Sequence, residues 1–346
     1  MQKQAFRWGI VGTGVIARQF AADLKYARNM RVAAVCSRSA ASGEAFRERA
    51  GAAKVHTAFG DLLADPEIDA VYVATPNSLH AEQAFAALQA GKPVLVEKPL
   101  ATTTSEAEAM IACAAESGVL LMEGMWTRFL PAIEAVRKML AEGAIGTVVR
   151  VRGELAYFHT EIPESRLFDP ALGGGAALDL GVYLLSLAIN LFGRPEGIGG
   201  RWRAAKSGVD LSTDFLLRLA NGVEATLSCG FDREGDNAFT IIGTEGAVRL
   251  CPPFLKAQQL TLFSAPLRGF ASIGGWAGKV MARLPVPGAE RRIYGFPGGG
   301  LQFEADAFAQ SVQRQERQND VMPLEDSMAV LKIIETVKSR LPEKTR

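Results

Sequence analysis

Apolar residues open the chain in short runs separated by glycine and helical spacing. Residues 5–11 form the first run, which ends at Gly12-Thr13-Gly14-Val15-Ile16-Ala17. Ile16, Phe20 and Leu24 follow at i, i+4 and i+8, one face of an amphipathic helix. Residues 32–36 are a second run of strand length, and 69–75 a third, ending at Pro76-Asn77-Ser78. An alanine- and leucine-rich helix is predicted over 79–90, with Gly91 at its C-terminal cap. Val94-Leu95-Val96 reads as a short strand, Ser105 and Glu108 as a capping box opening another helix, and 119–122 as a further strand. Strands alternating with helices over about 120 residues imply a parallel sheet covered on both faces.

Past Trp126 the pattern changes. A helix over 132–141 leads into a long β-like run over 146–158. Glycines 173–175 precede a helix over 176–191. Strand-like stretches then follow directly on one another at 215–219, 223–228, 239–242 and 247–250, with Asn221-Gly222 as a turn signal. Strands without intervening helices predict an α+β domain with a large, mostly antiparallel open sheet. Residues 252–300 are rich in Gly and Pro and read as an excursion from that sheet. A final helix over 324–341 presents Met328, Leu331, Ile334 and Val337 on one face.

The 346 residues suit two domains, set at 1–124 and 125–346. With 38 Lys+Arg against 37 Asp+Glu, no charge excess favours nucleic acid or an anionic membrane. Cys36, Cys113, Cys229 and Cys251 are too scattered for a zinc site or a disulfide framework. Reduced thiols and a cytoplasmic location are expected, and no metal, since His56, His80 and His159 show no ligand spacing. The longest apolar run, 181–193, falls short of a bilayer. The N-terminus reads as a buried strand and not as a signal peptide.

Candidate chemistry begins at the glycine turn. G-x-G-x-x-A alone also occurs as a turn without a ligand, but here it follows a strand and opens a helix, as a dinucleotide site requires. Gly12 permits the tight turn, Gly14 lets a pyrophosphate approach, and Ala17 allows close helix–sheet packing. The N–H groups around Val15 and Ile16 face the phosphate charge. At the end of the second strand stands Ser37-Arg38-Ser39, where an NAD enzyme would carry a carboxylate. Two hydroxyls and a guanidinium suit a 2′-phosphate, so NADP is expected over NAD. The alternative for Arg38 is a solvated loop charge.

Three further segments carry a family likeness. They are Ala74-Thr75-Pro76-Asn77-Ser78-Leu79-His80, Gly91-Lys92-Pro93-Val94-Leu95-Val96-Glu97-Lys98-Pro99-Leu100, and Asp179-Leu180-Gly181-Val182-Tyr183. With the glycine turn they resemble the glucose–fructose oxidoreductase / inositol dehydrogenase / MocA-type family over nearly the whole chain, least over 252–300. Glu123-x-x-Trp126-Thr127-Arg128-Phe129 and Arg166-Leu167-Phe168-Asp169-Pro170 look most like its dihydrodiol dehydrogenase and NADP-linked xylose dehydrogenase branch. The resemblance implies that Thr75, Pro76, Asn77, His80, Glu97 and Lys98 line the cofactor, and that Lys98–Pro99 is cis. It also implies dimers or tetramers through the outer face of the second domain's sheet. Val149, Val151 and Leu155 are candidates for an apolar stripe there.

Lys98 follows an apolar strand, at the edge where open α/β sheets place ligands. It can hydrogen-bond a reacting hydroxyl; a surface lysine is the plain alternative. Asp179 and Tyr183 are i, i+4 on a predicted helix and share a face. The family usually pairs Asp with His, and the resemblance implies that Tyr183, as in the dihydrodiol dehydrogenase branch, is the acid/base. A free phenol titrates near pH ~10, and the Lys98 ammonium would bring it closer to neutrality. A buried structural tyrosine and a helix-turn aspartate remain the alternatives for Tyr183 and Asp179. Trp126, Arg128, Phe158 and Arg166 are candidates for the wall of a substrate site, with core packing as the competing role. His80 suits either the cofactor or a cap, and His159 a place near the substrate.

The expectation is an α/β Rossmann domain plus an α+β domain, with the active site between them. It would move a hydride between NADP and a carbinol or carbonyl carbon of a sugar, cyclic polyol or trans-dihydrodiol. Tyr183 would act as acid/base, assisted by Lys98 and with Asp179 orienting. A non-catalytic NADP sensor and a biliverdin-type reductase share the fold and are the alternatives.

Overall fold

The first strand, β1 (Phe6–Val11), is buried along nearly its whole length. It pairs in parallel with β2 (Met30–Cys36) on one side and β4 (Ala70–Val73) on the other. With β3 (Lys54–His56), β5 (Val94–Glu97) and β6 (Leu121–Gly124) these make a six-stranded parallel sheet in the order β3-β2-β1-β4-β5-β6. The order reverses beside β1, the arrangement of a doubly wound fold. Every residue of β4 and β5 is buried, which is why these strands read as continuous apolar runs instead of alternating ones. The helices are α1 (Val15–Asp23), α2 (Ala40–Ala50), α3 (Phe59–Ala64), α4 (His80–Gln89) and α5 (Thr104–Ser117). This computed structural model describes residues 5–272 and 287–343.

The chain divides into two units, Met1–Trp126 with Pro297–Met328, and Thr127–Phe296 with Ala329–Arg346. The first crossing falls two residues beyond the expected boundary at 124. The return of 297–328 to the first unit corrects the reading of 125–346 as one block. The return is held by packing and by capping. A helix, α8 (Leu301–Gln313), brings Phe308 against Trp8, with ring centroids 5.1 Å apart, and Trp8 also meets Phe6 at 5.2 Å and Phe20 at 5.1 Å. Asp23, at the end of α1, accepts hydrogen bonds from the backbone N–H of Gly299 (2.8 and 2.9 Å) and of Leu301 (3.1 Å). A side chain from the first turn of the fold therefore caps a helix 278 residues away.

The capping box of α5 also moves. Thr103, not Ser105, is the N-cap; its hydroxyl accepts from the Glu106 N–H at 3.2 Å, and the Glu106 carboxylate reaches back to the Thr102 N–H at 3.0 Å. The T-x-x-E pattern beginning two residues earlier was the operative one.

The second unit is built on an eight-stranded sheet. Its strands are β7 (Val148–Ala156), β8 (Gly197–Ala204), β9 (Asp210–Arg218), β10 (Glu224–Gly230), β11 (Phe239–Gly243), β12 (Gly246–Leu250), β13 (Gln259–Ser264) and β14 (Ala289–Ile293). Their order is β14-β13-β12-β11-β7-β10-β9-β8, with every pair antiparallel except β10 with β7. The part of 252–300 outside 273–286 is not an excursion: β13 and β14 extend the sheet edge, and Ala271 packs with Ala247 and Phe263. Residues 273–286 lie outside the described residues.

Two helices complete this description, α6 (Pro131–Ala141) and α7 (Val182–Phe192), and the last helix, α9 (Leu324–Lys338), contains the second crossing. α7 lies on one face of the sheet. A Cβ on Gly153 of β7 would stand 2.7 Å from Leu184, so the strand needs glycine where the helix crosses it. Val151 and Leu155 share that covered face and are fully buried. They are therefore core residues and not an outer apolar stripe; only Val149, at the strand end, is exposed. The opposite face of β7 and its neighbours carries Arg152, Glu154, Ser228, Asp214 and Arg201.

The helical run Pro170–Phe192 is 23 residues long with mean hydropathy 1.7, so by length and composition alone it passes for a membrane span. Some 78% of its apolar window is buried inside the unit, as befits a core helix.

Asp23→Ala leaves buried N–H groups at Gly299 and Leu301 without an acceptor. Urea unfolding should show a loss of about 2–4 kcal/mol, and Asp23→Asn, which keeps one acceptor oxygen, should recover roughly half.

Candidate active site

At the glycine turn, Gly12 has φ +102°, and a Cβ there would lie 2.5 Å from the Ala74 carbonyl oxygen, so both conformation and space demand glycine. Gly14 is the N-cap of α1; it provides no side-chain cap, and nothing lies within 4 Å of where its Cβ would stand. Val15 is exposed beside it, while Ala17 is buried against the sheet. Thr13 accepts a hydrogen bond on its carbonyl from Arg18 at 2.6 Å, and Ile16 is half-buried. Open space over an uncapped helix N-terminus fits the pyrophosphate of a dinucleotide, which would meet the free N–H groups of this turn. Ser37, Arg38 and Ser39 follow β2 directly, with Arg38 exposed and the Ser39 hydroxyl capping α2 through the Ser42 N–H at 3.3 Å.

The strand ends next in line are tied together. After β4, Thr75, Pro76 and Asn77 are half-buried, and Asn77 begins a short 3-10 turn into α4. Thr75 donates its hydroxyl to Gln83 at 2.7 Å. His80 is fully buried; Nδ1 lies 2.8 Å from the Pro99 carbonyl oxygen and Nε2 3.0 Å from that of Thr75. Burial, and then the charge of Lys98, hold it below the usual histidine range, against the pull of the two carbonyls. Facing both of these carbonyl oxygens, His80 braces the two turns. Glu97 is also buried: its carboxylate accepts from the Tyr72 hydroxyl and, at 3.2 Å, from the Lys98 N–H. Lys98 is half-buried, and Lys98–Pro99 is cis.

In the second unit, Asp179 sits in a π-helical turn, Ala177–Gly181, that runs into α7, and Tyr183 follows on α7 itself. The Val182 N–H reaches back to the Ala177 carbonyl, the i→i+5 bond of a π turn. Asp179 accepts from Arg166 at 3.1 Å, and Arg166 is otherwise exposed. Tyr183 is buried. Phe158 and Ile162, in the segment after β7, are both exposed apolar side chains. His159 is exposed and meets Phe231 edge-on at 5.4 Å.

Two expected substrate contacts are core instead. Trp126 is 2% exposed and Arg128 fully buried. Arg128 donates to the Ser186 hydroxyl at 2.7 Å and carbonyl at 2.8 Å, which ties the 3-10 turn Trp126–Phe129 to α7 from within. An arginine spaced for recognition and one spaced for internal bracing look alike in a sequence.

Asp210 was missed. It is fully buried at the start of β9, and its carboxylate accepts from the Ala177 N–H at 2.6 Å and the Thr213 hydroxyl at 2.9 Å. Lys338 lies 3.0 Å from the other oxygen, and Gly175, at φ +122°, leaves room for it. This aspartate caps the π turn that carries Asp179. The only sequence signal was an acid standing where a core strand begins. Among the described residues, no group of three or more His, Cys, Asp or Glu is placed to hold a metal.

Comparison with known proteins resolves the family. Residues 6–125 match the oxidoreductase family with an NAD-binding Rossmann fold, and residues 133–249 match the Gfo/Idh/MocA C-terminal domain. The trans-1,2-dihydrobenzene-1,2-diol dehydrogenase of Bos taurus is 30% identical over 342 residues, covering 97% of each chain. The chain belongs to the Gfo/Idh/MocA oxidoreductase family. The Homo sapiens dihydrodiol dehydrogenase is 29% identical over 341 residues, again covering 97% of each chain. Among solved Gfo/Idh/MocA-type structures, KijD10, a 3-ketoreductase from Actinomadura kijaniata in complex with NADP and TDP-benzene, superposes with a TM-score of 0.80 at 28% identity, covering 97% of this chain and 98% of that one. Levoglucosan dehydrogenase, in complex with NADH and levoglucosan, shares the fold, with a TM-score of 0.81 at 22% identity and 97% coverage of each chain. The first unit is thus an NAD(P)-binding Rossmann domain and the protein is an oxidoreductase of dehydrogenase/reductase type.

Asp210→Ala uncaps the π turn and leaves Lys338 without its buried partner. The expected loss is about 2–3 kcal/mol in urea unfolding, reduced from a fully buried pair because Lys338 is partly exposed.

Proposed function

We propose that the protein is an NADP-linked dehydrogenase or reductase acting on a carbinol or carbonyl carbon of a sugar, cyclic polyol or trans-dihydrodiol. The observation that carries this reading is the pairing of Asp179, held by Arg166 at 3.1 Å, with Tyr183 on one helical run. An anchored carboxylate orients a hydroxyl, and a phenol four residues on exchanges its proton. Lys98 supplies positive charge that favours the phenolate and the developing alkoxide. The exposed Phe158 and Ile162 suit the apolar side of a ring, and Arg166 its hydroxyl edge.

When bound, the nicotinamide accepts or supplies the hydride. Gly12, Thr13, Gly14, Val15 and Ile16 would hold its pyrophosphate, with Thr75, Pro76 and Asn77 at the neighbouring strand end. Ser37, Arg38 and Ser39 support NADP over NAD, because a guanidinium and two hydroxyls recognise a 2′-phosphate and no carboxylate competes. KijD10 was solved with NADP, which agrees with this choice. A homodimer or homotetramer through the open face of the eight-stranded sheet belongs to the same reading. That contact would be polar, made by residues such as Arg152, Glu154 and Arg201. Four unpaired cysteines suit a reducing cytoplasm.

Fluorescence titration is expected to show NADPH binding more tightly than NADH. Arg38→Ala should weaken NADPH by about 10–100-fold while leaving NADH unchanged. Preference for NADH in the wild type would overturn the choice of cofactor.

Lys98→Met and Tyr183→Phe should each lower kcat by about 10²–10⁴-fold while NADPH still binds. Turnover preserved in Tyr183→Phe would favour a reductase that needs no acid/base at the carbinol.

A further inference from the structure

The last turn of the last helix reaches the π turn beneath Asp179 through one buried carboxylate. Asp210, fully buried, uses its two oxygens differently. Oδ2 accepts from the Ala177 N–H at 2.6 Å and from the Thr213 hydroxyl at 2.9 Å. Oδ1 occupies the space that a Cβ on Gly175 would need, and faces the Lys338 ammonium at 3.0 Å. Gly175 and Ala177 lie at the entry of the π turn, and the Gly175 carbonyl accepts the N–H of Asp179 itself at 3.1 Å. The place of this one carboxylate therefore sets the backbone from which Asp179 projects.

Lys338 is in turn held by its own segment against β8. It ends α9, and its ammonium lies 5.9 Å from the centroid of the Trp202 ring. Val337, just before it, fills the space over Gly200, where a Cβ would stand 3.0 Å from its side chain. Arg340, just beyond, donates from its guanidinium to the carbonyl oxygens of Ile198 and Gly200, both at 3.2 Å. The Trp202 indole N–H donates to the Arg340 carbonyl at 2.8 Å, and the Glu343 N–H to the Trp202 carbonyl at 2.8 Å. Ile198, Gly200 and Trp202 alternate along β8, which ends the eight-stranded sheet, so the C-terminal segment seals a strand edge and fixes Lys338 in doing so.

A carboxylate this deep is sustained by what pairs with it. Without the cation it takes up a proton or shifts toward water, and either weakens its hold on the Ala177 N–H. We propose that Lys338 is a positioning residue for the reaction: it fixes the charge and place of Asp210 and, through the Gly175–Ala177 end of the π turn, the aim of Asp179. The inference rests on the reading of Asp179 as the group that orients the substrate hydroxyl. Lys338 touches neither substrate nor cofactor in it. The C-terminal segment thus sets part of the reaction geometry from outside the site.

The test uses the full-length protein with three substitutions. Lys338→Met keeps an unbranched stem beside Trp202 without the charge, Lys338→Arg keeps the charge, and Arg340→Ala releases the segment from the β8 carbonyls. Amide hydrogen exchange read by mass spectrometry should be about tenfold faster over residues 176–183 in Lys338→Met, and unchanged over the rest of the eight-stranded sheet. Lost stability alone would instead speed exchange throughout that unit. In the NADP-linked reaction kcat should fall about 10–100-fold in Lys338→Met at an unchanged Kd for NADPH. Lys338→Arg should return both readings toward wild type, and Arg340→Ala should move both in the direction of Lys338→Met by a smaller factor.

Unchanged exchange over 176–183 in Lys338→Met overturns the proposal. So does faster exchange with kcat unchanged, exchange raised across the whole unit, or a Lys338→Arg protein as impaired as Lys338→Met. If Lys338→Met does not fold, the same two readings in Arg340→Ala decide, and their failure to move overturns the proposal. If the wild type transfers hydride with no sugar, polyol or diol, the functional reading fails, and the role of Lys338 in the reaction fails with it. The exchange readings would then still establish whether Lys338 holds the turn.

Discussion

Strands that end inside a protein expose polar atoms to a medium that cannot solvate them, and the carboxyl edge of the parallel sheet is organised by that constraint. Tyr72 meets Glu97, the Lys98 N–H meets Glu97, and the Leu100 N–H meets Glu123. His80 spans the turns after β4 and β5 by facing two carbonyl oxygens at once. A neutral imidazole has one donor, so two acceptors favour the cation. Burial and the charge of Lys98 oppose it more strongly.

Much of this edge was legible because parallel strands are written as unbroken apolar runs. β1, β4 and β5 and the glycine turn were all placed to within a residue or two. β3 was not read, since three residues carry no periodicity, nor was α2, whose alanine, serine and glycine give a weak stripe. α8 carries a clear stripe, Leu301, Ala305 and Phe308, but it follows a glycine-rich stretch that had been read as irregular. Missing α8 meant missing both the return of the chain to the first unit and a buried acid, Glu304, on its apolar face. A charge within an apolar stripe was the available signal.

Side-chain roles were less legible than elements. Trp126 and Arg128 lie in a motif-like segment, and their types suit a ligand as well as a core. What decides is whether the guanidinium finds internal acceptors, and Ser186 supplies them from α7, 58 residues away. Val151 and Leu155 failed as outer-face residues for a related reason. Alternation shows that a strand has two faces, but not which one a helix will cover. Gly153, between them, is the residue that marks the covered side, because Leu184 occupies the space above it.

The π turn beneath Asp179 is where structural cost and function meet. A π turn is rare, and persists only where its surroundings over-determine it. Here Asp210 caps the Ala177 N–H, Gly175 adopts a positive φ that makes room for that carboxylate, Lys338 offsets its charge, and Arg166 engages Asp179 from outside. A helix whose only task was to cover the sheet would need none of these, since Leu184, Leu185 and Ile189 already bury its apolar surface. The extra constraints act on one short segment, and that segment fixes the direction of Asp179 and the register at which Tyr183 enters α7. In the proposed reaction, the first would orient a hydroxyl and the second would exchange its proton.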